Sequence, residues 1–393
     1  MERIVRIQQE LAKTGLDGWL FYDFHNRDPI AYRILGLEFG KFTSRRWFYL
    51  IPRSGEPVGL VSAVEAGKLD KLPGQKRVYR SWRELEEHLR ALLDGFSVVA
   101  MQYSPRGDIP YVSLVDAGTV ELVRASGVEV VSSAPLVQVF EAVLSPEQLA
   151  SHRLAGERIH RIKDEAFLLV REKVRKGEEV TPYDVQQFIL KRFDEEGLTC
   201  QGEYPIVGIN EQPADPHFAP TPENARPIKV GDTLLLDLWA KLNQPDAVFY
   251  DITWCAFVGK NPPPKYQEIF QIACLARDTA LALVQKRLAQ GEALAGFEVD
   301  NAARAVIEEA GYGPYFIHRT GHSIGVEVHG NGANLDNLET RDDRPLVPGL
   351  CFSIEPGIYL PGEMAVRTEI NVAIDHQGVP QVYGPVQREL ILL

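Results

Sequence analysis

Apolar and polar residues alternate along the chain in two rhythms. Residues 2–14 are amphipathic, charged throughout, and predict a helix stopped at Gly15. Short apolar runs follow at 17–22 (DGWLFY), 47–51 (WFYLI) and 57–62 (PVGLVS) and predict strands. A helix over 82–94, a strand over 98–101, a helix over 110–125 and a strand over 128–131 complete the alternation. This pattern predicts an α/β domain over residues 1–145. Ser145-Pro146-Glu147-Gln148 then begins a long helix running to about Arg175: Ser caps it, Pro takes its first position and an acid its first turn. Further helices are expected from Thr181 to about Glu196, over 264–290 and over 298–310. Strands are expected over 203–210, 233–242, 248–258, 350–359 and 364–374, so residues 146–393 predict an α+β domain with antiparallel hairpins.

Two of these hairpins carry acids where the pattern is otherwise apolar. Leu234-Leu235-Leu236-Asp237-Leu238-Trp239 and Val248-Phe249-Tyr250-Asp251-Ile252-Thr253-Trp254 flank the turn Asn243-Gln244-Pro245-Asp246. Asp237 and Asp251 are symmetric about residue 244, so pairing about that point sets them opposite each other. Glu355 and Glu369 are likewise symmetric about Gly362, in the turn Pro361-Gly362. Opposed carboxylates repel unless a cation or proton lies between them. The repeated arrangement therefore points to four acids placed around metal.

Composition narrows the function. The 393 residues carry 42 basic and 54 acidic side chains, a net charge of −12, which argues against phosphate-neutralising nucleic-acid binding and against tight binding to an anionic membrane. With 45% hydrophobic residues the chain can bury a large core without disulfides. Cys200, Cys255, Cys274 and Cys351 are too scattered for a zinc ribbon or a disulfide scaffold and suit a reducing compartment. No signal peptide or membrane span is evident, so a cytoplasmic location is expected. Three of the nine histidines, His318, His322 and His329, fall in one short stretch between the hairpins, and His217 precedes the first. Four carboxylates and an imidazole suit two divalent ions, which together can activate water and polarise a carbonyl.

At these residues the chain resembles the pita-bread metallopeptidases: Xaa-Pro dipeptidase (prolidase), aminopeptidase P, methionine aminopeptidase and the metal-free creatinase. The likeness covers about 150–393 and extends more weakly to the N-terminal region, at Tyr22-Asp23-Phe24 and Asp28-Pro29-Ile30-Ala31. It implies a C-terminal pita-bread fold behind a smaller N-terminal creatinase-like α/β domain. It also implies five metal ligands: Asp237, Asp251, His322, Glu355 and Glu369. The implied cofactor is two divalent ions, manganese first, with cobalt, zinc or iron as other choices. His217, His318 and His329 resemble substrate-facing active-site histidines, and Arg367 resembles an arginine of the proline-directed members. The resemblance implies attack by a metal-bridging hydroxide, with Glu355 relaying a proton and His318 or His329 holding the oxyanion. The implied substrate is a small peptide with proline second, and the implied assembly is a homodimer.

Xaa-Pro dipeptidase is the leading reading and aminopeptidase P the alternative. Further alternatives are another small-amide hydrolase of the same fold, a non-catalytic peptide-binding member, and a serine hydrolase using Ser323 within Gly-His-Ser-Ile-Gly. Trp254, Ser323 and Gly330 depart from common family residues, and the two Asp lie 14 apart where 11 is common. These departures bear on substrate preference.

Overall fold

The computed structural model describes residues 2–393. Its contacts divide into two compact units, one ending at Glu141 and the other running Ala142–Leu393.

The first unit contains α1 (Glu2–Ala12), β1 (Gly18–Asp23), α2 (Pro29–Leu35), β2 (Trp47–Pro52), β3 (Val58–Ser62), β4 (Gln75–Tyr79), α3 (Trp82–Leu93), β5 (Val98–Met101), α4 (Ala117–Arg124), β6 (Glu129–Ser132) and the single turn α5 (Ala134–Val137). One mixed sheet runs β4-β3-β2-β1-β5-β6. β1 is central and buried along its whole length, as its apolar run requires. Two departures from the sequence reading have local causes. The helix expected over 110–125 is only Ala117–Arg124, because Asp116 caps it there by accepting from the Thr119 N–H at 2.9 Å. β4 was not foreseen: Gln75-Lys76-Arg77-Val78-Tyr79 is a polar edge strand with no apolar alternation to reveal it.

The second unit begins before the expected helix start. Leu144 N–H donates to the Gly349 carbonyl at 2.9 Å, and Ala142 and Leu144 are buried in this unit's apolar clusters. Helix α6 (Pro146–Lys176) carries the capping box, with Ser145 and Gln148 exchanging hydrogen bonds. There follow α7 (Pro182–Glu195), β7 (Leu198–Thr199), β8 (Ile206–Ile209), β9 (Thr233–Leu242), β10 (Tyr250–Phe257), α8 (Pro264–Ala289), α9 (Gly296–Glu309), β11 (Cys351–Ile354), β12 (Gly357–Leu360), β13 (Met364–Arg367), β14 (Ile370–Ile374), β15 (Pro380–Val382) and β16 (Ile391–Leu392). The strands form a sheet of order β16-β10-β9-β7 with β8 on β9, a sheet β11-β14-β15, and the pair β12-β13. Helices and antiparallel hairpins coexist, as α+β requires.

Strand parity separates core from site. Leu236, Leu238, Ala240, Ile252 and Trp254 join Ala155, Ile159, Ile162 and Ala166 of α6 in one buried cluster. Asp237, Asp251 and Thr253, one residue out of phase, face the other way. Helices α8 and α9 pack with β11–β14 in a second cluster that includes Ala273, Ala303, Phe352, Ile354 and Val372.

Two buried histidines of α6 make this unit sensitive to acid. His152 Nδ1 donates to the Phe249 carbonyl, and His160 Nε2 lies 3.0 Å from the Tyr250 hydroxyl. Burial pushes His152 down to about 4, and burial together with the Lys163 charge pushes His160 down to about 3. The ordinary histidine value is 6.5, so below it the unfolded chain takes protons that the folded chain refuses. Their contribution is therefore complete above pH 6.5 and is lost progressively as pH falls towards 4. Urea midpoints measured at pH 7 and at pH 5 are expected to fall with acid, and less steeply in His152→Asn. An unchanged slope in that variant would remove His152 from the account.

Candidate metal centre

The first hairpin brings its two aspartates together by a different register from the one expected. Asp251 pairs with Trp239, and Asp237 pairs with Thr253, so the ladder is centred on residue 245 rather than 244. The turn absorbs the shift, with Asp246 in the left-handed region at φ 60°. Asp237 and Asp251 are diagonal neighbours on one face, not directly opposed. Asn371 of β14 fixes the backbone beneath Asp251: its Oδ1 accepts from the Asp251 N–H at 2.9 Å and its Nδ2 donates to the Asp251 carbonyl at 2.7 Å.

The second hairpin keeps the expected register about Gly362, with Gly357 opposite Arg367 and Ile354 opposite Ile370. Each long strand of the sequence reading is nevertheless two strands, interrupted at Glu355-Pro356 and Thr368-Glu369. There the backbone turns to other partners. Glu355 N–H donates to the Thr320 carbonyl at 2.7 Å, and Glu369 N–H to the Thr253 carbonyl at 3.3 Å. Pro356 supplies no N–H, which helps to end the ladder. The interruption leaves the two glutamates beside the first hairpin.

Asp251, His322 and Glu369 each offer a ligand atom within 4.8 Å of the others. His322 Nδ1 donates to the Ser323 carbonyl at 3.1 Å, which leaves the Nε2 lone pair facing Glu355 Oε1 at 3.4 Å and Asp251 Oδ2 at 3.7 Å. Asp237 joins through two groups. Arg367 Nη2 is paired with its Oδ2, and the Thr253 hydroxyl lies 3.2 Å from its Oδ1 and 2.8 Å from Glu369 Oε2. Arg367 Nε donates to that same hydroxyl at 2.9 Å. All five expected ligands thus converge, with Arg367 among them.

The electrostatics are those of a cation site. One guanidinium against four carboxylates leaves three formal negative charges in a buried space. Burial, and then the neighbouring carboxylates, hold the proton affinity of Glu369 well above the ordinary range. Burial also raises Asp251, and lifts Asp237 to about 7 despite the Arg367 charge. Glu355 is the exception: burial acts to raise it, but His322, His318 and Arg367 together hold it low. Asp251 Oδ1 and Glu369 Oε1 are buried with no hydrogen-bond partner. Orphaned carboxylate oxygens are costly, and a divalent ion satisfies them. The oxygen-rich set with one imidazole fits such an ion.

The other expected site residues divide. His329 packs edge-on against His322, ring centres 4.4 Å apart, and the proximity of His322, followed by burial, depresses its proton affinity. His217 is exposed in its turn-rich segment, where its backbone N–H donates to Asp215 Oδ1 at 3.0 Å. His318 is half-buried. Its Nδ1 donates to the Arg319 carbonyl at 2.7 Å and its Nε2 accepts from the Tyr359 hydroxyl at 2.7 Å, so both nitrogens are engaged. Tyr359 also accepts from Arg367 Nη1 at 3.2 Å, which links His318 to Asp237 through Tyr359 and Arg367. Tyr359, Thr253 and Ser353 were missed in the sequence. The signal available for Thr253 and Ser353 was a hydroxyl two residues from an expected ligand, on the same strand face.

Two sequence departures lose their expected bearing on substrate. Trp254 turns away from the carboxylates into the α6 core, where Lys163 Nζ stands 3.5 Å from the centre of its ring. Ser323 is buried, its hydroxyl accepts from the Gly332 N–H at 3.0 Å, and no helix follows it. A nucleophile elbow needs that helix and an exposed hydroxyl, so the serine-hydrolase alternative fails.

Comparison with known proteins agrees with this geometry. A model of metallopeptidase family M24 matches residues 155–376. The Xaa-Pro dipeptidase of Lactobacillus helveticus is 30% identical over 70% of this chain and 65% of its own length. That of Lactobacillus delbrueckii subsp. lactis is 32% identical over 56% of this chain and 54% of its own. The matches therefore span between half and two thirds of these curated relatives. The crystal structure of dipeptidase PepE from Mycobacterium ulcerans superposes with a TM-score of 0.70 at 23% identity, covering 100% of this chain and 97% of that one. That likeness shows the pita-bread fold.

Proposed function

The chain belongs to metallopeptidase family M24, and on that premise we propose that it is a dinuclear-metal-dependent Xaa-Pro peptidase acting on Xaa-Pro dipeptides. The observation that carries the reading is the buried convergence of Asp237, Asp251, His322, Glu355 and Glu369 with orphaned oxygens on two of them. Those five residues would hold the metal. Two bound divalent ions, manganese first, would supply an activated water and a polarised scissile carbonyl.

The chain's own residues do the rest. Glu355 has its Oε1 held by the Ser353 hydroxyl at 3.0 Å, which fixes its orientation. It would take a proton from water and pass it to the leaving amine. His329, which packs against His322, would donate to the developing oxyanion. His318 acts indirectly, orienting Tyr359 and through it Arg367. Arg367 holds Asp237 in place and offsets its charge. His217 would meet the peptide from its exposed segment. On the same reading the enzyme is a homodimer in a reducing cytoplasm, in keeping with four free cysteines.

A direct assay uses Ala-Pro, Leu-Pro and an Xaa-Pro-Xaa tripeptide, each with manganese and with EDTA. Manganese-dependent cleavage of the dipeptides, abolished by EDTA, is expected. Cleavage of the tripeptide alone would select aminopeptidase P, and cleavage of neither would overturn the peptidase reading.

A further inference from the structure

Asp300 sits on the buried stripe of α9, among Val299, Ala303 and Ile307, and is itself fully buried. A carboxylate there must be fully matched by donors. Its Oδ1 accepts from the Thr320 N–H at 2.9 Å, the Thr320 hydroxyl at 2.6 Å and Arg304 Nη2 at 3.0 Å. Its Oδ2 accepts from Arg304 Nε at 3.1 Å and the Asn337 N–H at 3.0 Å. Arg304 also reaches past the carboxylate. Its Nη1 donates to the Phe316 carbonyl and its Nη2 to the His318 carbonyl, both at 2.9 Å. This one ion pair therefore grips residues 316, 318 and 320 of a strap that has no regular secondary structure of its own.

The same strap carries the centre on its other side. The Thr320 carbonyl accepts from the Glu355 N–H. Gly321 lies against Ser353 so closely that a Cβ would stand 2.0 Å from the Ser353 carbonyl oxygen. His322 N–H donates to Ser353 Oγ at 2.9 Å, and that hydroxyl donates to Glu355 Oε1. His322 and Glu355 are thus mounted on a segment held from behind by α9.

We infer that Asp300 and Arg304 are positioning residues of the metal centre, setting the reach of His322 and the orientation of Glu355 without touching metal or substrate. The inference rests on the metal-dependent reading above. An irregular segment holds a ligand to within a fraction of an ångström only if its backbone is tied, and α9 supplies the ties.

The test is titration of metal-free wild type, Asp300→Asn and Thr320→Val with Mn²⁺ by calorimetry, together with visible absorption of the Co²⁺-loaded proteins. Circular dichroism and thermal midpoints of the metal-free forms establish folding. Mn²⁺ affinity is expected to fall about tenfold or more in Asp300→Asn and about fivefold in Thr320→Val, which loses a single hydrogen bond. The Co²⁺ bands, which report ligand geometry, should change in both. Folded variants with wild-type Mn²⁺ affinity and Co²⁺ spectra would overturn the inference while the metal reading stands, even if their thermal stability dropped. Wild-type protein that binds no divalent ion would overturn the metal reading and this inference with it. If Asp300→Asn does not fold, Thr320→Val decides.

Discussion

Asp251→Asn is expected to stabilise the metal-free protein and to disable the loaded one. Asp251 is buried, its Oδ1 has no partner, and burial outweighs His322 and Arg367 in making its ionised form unfavourable. An amide of the same shape removes one of four crowded negative charges, which should add about 1–2 kcal/mol to metal-free stability. The same change removes an anionic ligand from the group formed with His322 and Glu369. Metal content should fall, and activity should drop by about three orders of magnitude, since the bound ions supply several kcal/mol of transition-state stabilisation. Thermal melts with and without manganese, metal analysis and peptide assays separate the two effects. Retained metal and activity would mean that the aspartate hairpin is not part of the centre.

Arg367→Met should act in the opposite direction on the metal-free protein. Arg367 is the guanidinium buried among these carboxylates, and it reaches Asp237, the Thr253 hydroxyl and Tyr359 at once. Removing it leaves Asp237 as an uncompensated buried charge, a loss of about 3–5 kcal/mol. For a unit of this size that is about 6–15 °C in melting temperature. The double variant Arg367→Met with Asp237→Asn should recover part of the loss, because both partners of the pair are then neutral. A single variant as stable as wild type would show that Asp237 does not depend on its arginine. Activity should fall in both, because the single variant loses the group that orients Asp237 and the double variant loses the Asp237 carboxylate itself.

The outline of the second unit was readable from the chain, and the reasons differ by element. Ser145, Pro146 and Glu147 announced α6 because a helix cap and first turn are local chemistry. The glutamate register was readable because Pro361-Gly362 makes a tight turn, with Gly362 at φ 73°, and leaves only one centre of symmetry. The centre of the aspartate hairpin was missed by one residue, and its register therefore by two, because the longer turn held a left-handed Asp246 that the sequence did not reveal. The break after Ile354 had Pro356 as a local sign, but the one after Arg367 was hidden, since only the tertiary partner Thr253 takes the Glu369 N–H there. The bond from His318 to Tyr359 was hidden, because nothing near His318 in the sequence foreshadows a partner 41 residues away. Asp300 and Arg304 have nothing in the sequence to mark them beyond an i,i+4 spacing, which solvated helix pairs share, whereas Asp300 has no exposed surface.

The broken ladders also determine when the centre comes into being. Asp237 meets Arg367 across 130 residues of chain, Asp251 meets Asn371 across 120, and Thr253 meets Glu369 across 116. Contacts of such separation carry a large loop-closure entropy and form late in folding. A growing chain that has made the aspartate hairpin but not β13 and β14 holds acids with neither their arginine nor their glutamates. On the metal-dependent reading, metal would add its binding free energy only to a fold already closed, and its uptake would mark the completion of folding.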